Sequence, residues 1–109
     1  MSEDAIQPPA EELGLPKVLA ALADPARLAT VRALAQVGEC SCTQIRLDAG
    51  LEVSKSTMSH HLRILREAGI IHSRVQGARR LVTLCRKDLD ARFPGLLDAV
   101  LQPEPAATY

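Results

Sequence analysis

Aromatic side chains are almost missing from this chain: Phe93 and Tyr109 are the only two among 109 residues, and there is no Trp. A core must therefore be assembled from Leu, Val, Ile and Ala, which at this length points to one mostly helical domain that gains burial by pairing with a copy. Long hydrophobic runs are missing too. The longest, Val18 to Ala23, is far short of a membrane span, and MSEDAIQPPA has neither a basic nor an apolar segment. No transmembrane helix and no secretory signal are expected, so the chain reads as cytoplasmic. The three cysteines are few and odd in number, which favours thiols or metal ligands over a disulfide frame. No nucleophile, base and orienting residue can be named together, so nothing supports an enzyme.

Net charge is absent as well, with 13 bases against 13 acids, but the cancellation hides a strong segregation. Residues 55 to 87 carry eight bases and one acid, a net +7, whereas residues 1 to 24 sum to −4 and residues 88 to 109 to −3. A basic block of this kind is an electrostatic footprint for a polyanion.

The stretch SKSTMSHHLRILREAG, Ser54 to Gly69, has the marks of one helix: a capping Ser at its start and Gly just past its end. Met58, Leu62 and Leu65 form an apolar stripe, and at 100° per residue Ser56, Ser59, His60 and Arg63 point away from it. Small hydroxyls, an imidazole and a guanidinium on one face, flanked by Lys55 and Arg66, have the chemistry of a base-reading helix; an ordinary solvated face is the plain alternative. Before it, Leu15-Pro16 opens a short helix with Val18, Leu19 and Leu22 on its apolar side, and Asp24-Pro25 caps a second that ends near Gly38. Ser41 with Gln44 fits a capping box for a third helix, Cys42 to Ala49, followed by a turn at Gly50 to Val53. Short helix, tight turn and longer polar-faced helix make a helix-turn-helix.

After Gly69 the period changes to that of two strands around Gln76-Gly77-Ala78-Arg79-Arg80, a hairpin whose arginines can reach phosphates or a minor groove. Arg74, Arg86 and Lys87 join the phosphate candidates. A turn at Asp88 to Arg92 and a last helix from about Pro94 carry Phe93, Leu96, Leu97, Val100 and Leu101 on one side. The expected architecture is mostly α with a small β-hairpin, in the order α-α-α-α-β-β-α. Residues 1–14 form a disordered acidic tail, 15–101 the winged helix-turn-helix domain and 102–109 a loose tail. Val18, Leu19 and Leu22 with the last-helix set would bury one another in a two-fold dimer, whose paired reading helices suit a palindromic operator on double-stranded DNA.

ALADPARLATVRAL, GECSCTQI, GLEVSKSTMSHHLRILREAGII and the hairpin around GARR together resemble the ArsR/SmtB family of winged-helix transcriptional repressors, over about Leu19 to Leu101. The resemblance implies a homodimer that leaves its operator when a metal ion, a redox signal or a small molecule binds. It implies DNA contact by Ser54, Ser56, Thr57, Ser59 and His60, to which the reading of charge adds Lys55, Arg63, Arg66, Arg79 and Arg80. Glu39-Cys40-Ser41-Cys42 is similar to the family's metal box in its paired thiols, so Cys40 and Cys42 are candidate ligands for a transition metal or As(III). The third thiol of the arsenic type falls on Ile45, the carboxylate of the zinc and cadmium type on Thr43, and no His follows His72.

Two thiols at i, i+2 near a helix N-terminus are expected to have lowered pKa and to begin a chelate, though a closed zinc site needs about four ligands. Packing residues or a reversible redox switch fit the same pair. His72 and Cys85 lie on the hairpin, and His61 falls near the apolar edge as a packing or orienting residue. Two other functions stay open: a thiol redox or metal-handling protein with an incidental helix-turn-helix, and a winged helix that docks an acidic protein.

Overall fold

The computed structural model describes residues 14–102, so the tails expected at 1–14 and 102–109 lie outside it except for Gly14 and Gln102. Six helices and three short strands follow one another: α1 (Leu15–Leu22), α2 (Pro25–Val37), β1 (Cys40–Ser41), α3 (Cys42–Asp48), α4 (Lys55–Glu67), β2 (Ile71–Gln76), β3 (Arg79–Leu84), α5 (Arg86–Arg92) and α6 (Leu96–Leu101). Helix starts are chemically specified. Pro16 sits in the first turn of α1 and Pro25 in that of α2, where a missing N–H costs nothing. Asp24, Ser41 and Ser54 each accept, through a side-chain oxygen, the backbone N–H three residues on, at 3.0, 3.1 and 3.1 Å. The Ser41–Gln44 box is half made, because the Gln44 amide turns to Asp48 Oδ1 at 3.0 Å.

Both helices of the helix-turn-helix end alike. Gly50 N–H reaches Leu47 O and Leu51 N–H reaches Arg46 O; Gly69 N–H reaches Arg66 O and Ile70 N–H reaches Leu65 O. This paired closure needs a left-handed residue just past the helix, and Gly50 and Gly69 supply it with φ of 69° and 80°. The chain then turns directly from α4 into β2, with Ile70 and Ile71 buried beneath it.

The sheet runs β1-β3-β2, all antiparallel, with Cys40 opposite Val82 and Gln76 opposite Arg79. Two expectations change here. Strand β1 is an addition: two residues cannot be recognised by alternation, and they pair because β3 presents an open edge. The hairpin loop is only Gly77-Ala78, so Arg79 and Arg80 are strand residues that alternate between faces rather than sharing a tip.

The C-terminal region also differs from expectation. Arg86–Arg92 is a helix, not a turn, and the last helix starts at Leu96. The break lies at Phe93, which leaves the helical region at φ −132° and ψ 75° as a residue before Pro is biased to do, and Gly95 continues it at φ 87°. Arg86 ties the two pieces, pairing with Asp90 within α5 and with Asp98 of α6. Arg32 of α2 donates to Val100 O at 3.0 Å and Gln102 O at 3.2 Å, so a cation meets the carbonyl end of α6.

One core lies under all elements, centred on Val18, Val31, Leu34, Ile45, Leu65, Ile71, Val82, Leu89 and Leu97. Burying each such side chain stabilises the fold by about 1.5–3 kcal/mol. Thr30, also buried, gives its hydroxyl proton to Ala26 O at 2.9 Å.

Asp24 joins cap and charge: the Arg27 N–H and guanidinium hold its carboxyl below the ordinary value of 3.8, against a smaller opposing effect of burial. We expect Asp24→Ala to lower unfolding free energy by about 1 kcal/mol near neutral pH in urea titrations. A lowered folded pKa stabilises fully above the unfolded value and less as pH falls through the folded one. The difference between wild type and variant therefore shrinks in acid, below about pH 4.

Candidate nucleic-acid interface

Helix α4 is amphipathic in the sense the sequence required. Met58, Leu62 and Leu65 are buried against α1, α2 and β2, while Ser56, Ser59, His60 and Arg63 are exposed. Its N-terminus carries a hydroxyl cluster: Ser54 Oγ donates to Thr57 Oγ1 at 3.0 Å and lies 3.2 Å from Ser56 Oγ. One turn on, Arg63 Nη2 donates to His60 Nδ1 at 3.4 Å. A neutral imidazole that accepts at Nδ1 holds its proton on Nε2, the nitrogen left to meet a ligand. Arg63 Nε also lies 3.9 Å from Glu67 one turn along, both side chains half exposed, a pair of little energetic weight.

The wing stands beside this helix. Arg79 is exposed on one face of β3; Arg80, half-buried on the other, lines a cleft shared with Ser59, His60, Arg63 and Arg66 of α4. Lys55 and Arg79 make no ion pair among the described residues. Other members of the basic block are committed to carboxylates. Arg74 holds Glu39 through two bonds, Nε to Oε2 at 2.8 Å and Nη2 to Oε1 at 2.7 Å, and this pairing draws the Glu39 carboxyl below its ordinary range. Arg86 serves the α5–α6 corner. Neither is left as the simple phosphate contact that charge counting suggested.

His61 does orient structure as its edge position implied: its Nδ1 accepts from Arg27 Nη1 at 3.3 Å. Arg27 Nε in turn donates to Ala21 O at 2.7 Å, so one guanidinium joins the end of α1, the start of α2 and the inner side of α4. No sequence pattern marks such a contact across 34 residues.

The thiols depart from expectation. Cys40 is a strand residue before the cap of α3, buried, with Sγ donating to Asp48 Oδ2 at 3.4 Å. Burial first, and then the Asp48 carboxylate, push its pKa up rather than down. Cys42 is the first residue of α3 and faces two clefts beside α4. Cys85 precedes α5; burial and Asp88 push it up to about 11. All three are thiols outside any disulfide. Among the described residues no group of three His, Cys, Asp or Glu is gathered to hold a metal ion, so Cys40 and Cys42 do not by themselves close a zinc-type site.

The dimer residues divide. Val18, Leu22 and Leu97 are buried within the single chain, and Phe93, Leu96, Val100 and Leu101 are partly buried against its core. Leu19 keeps 47% of its surface exposed, and Leu15 beside it 42%.

A helix-turn-helix with a paired-strand wing and a basic, hydroxyl-rich helix face defines a winged helix-turn-helix DNA-binding transcriptional regulator. Residues 22–74 match the family described as a helix-turn-helix domain. An uncharacterized HTH-type transcriptional regulator, YceK of Bacillus subtilis (strain 168), is 32% identical over 85 residues, 77% of this chain and 83% of that protein. The transcriptional repressor SmtB homolog of Synechocystis sp. is 46% identical over 57 residues, 52% of this chain but 41% of that protein. The crystal structure of an ArsR family transcriptional regulator superposes with a TM-score of 0.63 at 22% identity, over 79% of this chain and 84% of that one, a likeness of fold. The chain belongs to the HTH-type transcriptional regulators and is similar to those of the ArsR/SmtB type. No helix among the described residues is long and apolar enough to cross a membrane.

The raised thiol values have a kinetic consequence. Near neutral pH, Cys85 should hold about 100-fold less thiolate than a thiol at its ordinary value of 9.0 and, since the more basic thiolate is the better nucleophile, react with a disulfide reagent about 10-fold more slowly. Asp48→Asn should speed the reaction of Cys40 in the same stopped-flow assay, since it removes the charge that holds the proton on sulfur.

Proposed function

We propose that the protein is a cytoplasmic homodimeric repressor that seats α4 of each copy in successive major grooves of a palindromic operator and frees the DNA when an effector binds. The observation that carries this is the exposed face of α4, on which Ser56, Ser59, His60 and Arg63 stand clear of the core. Ser54 and Thr57 at the helix start suit a phosphate near the N-terminus, where hydroxyl donors and the helix dipole act together. His60, with its proton on Nε2, suits an acceptor on a base edge such as guanine O6 or N7. Lys55, Arg66, Arg79 and Arg80 supply the backbone attraction. The exposed Leu15 and Leu19 on α1, and the half-buried side chains of α6, are the apolar area that a second copy would cover.

If Cys40 takes part in sensing a metal ion, binding must release its proton and replace the Asp48 hydrogen bond, so the response should strengthen as pH rises. A Cys40→Ser/Cys42→Ser variant titrated with Zn(II) and As(III) on operator DNA tests that role; release equal to wild type would remove the thiols from the sensing step.

Fluorescence anisotropy with an operator duplex should show affinity falling by about 10³- to 10⁵-fold between about 50 and 200 mM salt, for six to ten phosphate contacts per dimer. Arg79→Ala should weaken binding to all sequences alike and reduce the salt slope, whereas Ser59→Ala and His60→Ala should narrow the margin between operator and random DNA. Equal losses on both DNAs for the helix variants would count against base reading. Leu19→Glu should give monomers in sedimentation and a parallel loss of operator affinity.

A further inference from the structure

Between α4 and the sheet lies a cleft of about 380 Å³, within the range of small-molecule sites. Arg63, Arg66 and Arg80 line it, and no Asp or Glu does. The buried apolar side chains of Leu62, Ile71 and Val82 form part of its wall. DNA backbone needs surface cations but has no use for such a wall, and a purely apolar ligand has no use for three guanidiniums. A second observation points the same way. The Nε of Arg66 is buried and meets no hydrogen-bond acceptor among the described residues. A buried cationic donor without an acceptor is costly, and each such group in a folded protein calls for a partner. Glu67, one turn along α4, lies 3.9 Å from Arg63 in the weak exposed pair described above.

We infer that this cleft is a binding site for a small organic anion, a carboxylate whose head meets Arg66 and Arg63 and whose aromatic or branched body lies on Leu62, Ile71 and Val82. Ser59 and His60 line the same cleft, so an occupant would share residues with the DNA-facing surface and exclude the operator directly, without a change in the dimer. That consequence, unlike the site itself, rests on the DNA-binding reading of α4.

The test is a titration of isotope-labelled protein with cinnamate, followed by amide chemical shifts, with cinnamyl alcohol as the neutral isostere and inorganic phosphate as a bare anion. Cinnamate should give saturable shifts at Leu62, Ile71, Ser73 and Val82, and the alcohol, phosphate and the Arg66→Met variant should each bind at least about 10-fold more weakly. Equal binding of the alcohol would mean an apolar patch only, and equal binding of phosphate a backbone cradle only. Either result overturns the proposal, as do shifts confined to α1, unchanged affinity in Arg66→Met, or no saturation by about 10 mM. If Arg66→Met fails to fold, Arg63→Met, altered at an exposed side chain, takes its place in the comparison. Cinnamate should also raise the apparent Kd for operator in proportion to its occupancy. Should the protein bind no DNA, the amide titration still decides the site by itself.

Discussion

The seating of one apolar stripe governs the rest of this molecule. Met58, Leu62 and Leu65 lock α4 against α1, α2 and β2, and that contact sets the rotation of the helix about its own axis. With the rotation set, Ser56, Ser59 and His60 have no alternative but to face outward. The paired closure at Gly69 then reverses the chain within two residues and drops Ile70 and Ile71 into the same core. Helix and wing are thereby held as one surface: a slip of α4 by one residue would turn its exposed polar face by about 100° and separate it from the cleft it shares with Arg80.

Around that surface the basic block is sorted by its neighbours. Exposed ion pairs contribute little stability, so the Arg74–Glu39 and Arg86–Asp98 contacts matter more for position than for energy. The first ties β2 to the loop before β1, the second holds α5 on α6. Arg63, Arg66 and Arg80 line the groove between helix and wing. Arg27 has a different task, gripping the end of α1 and the inner side of α4 together, so the helix with the exposed leucines and the helix with the exposed hydroxyl-rich face share a hydrogen-bonded side chain.

Local chemistry explains which parts were legible. Caps, helix-start prolines and glycine ends are contacts between residues three to five apart, and so the starts of α2, α3 and α4 and the stop of α4 could be read directly. The exposed face of α4 followed from its period alone. Strand β1, Arg27–His61 and Arg74–Glu39 join residues more than 30 positions apart and leave no periodic trace. Cys40 shows the difference most clearly. Its place near a helix start suggested a reactive thiolate, but burial and Asp48, eight residues away, reverse the direction.

Sequence by itself determined the helix-turn-helix, the face of α4 that meets solvent, the basic middle of the chain and the family resemblance, because each rests on spacing along one element or on composition. Tertiary structure decided which cations are spoken for, which thiol keeps its proton, which leucines remain on the surface and where α4 and the wing enclose a cleft. These depend on distances between elements, and such distances exist only once the core has closed.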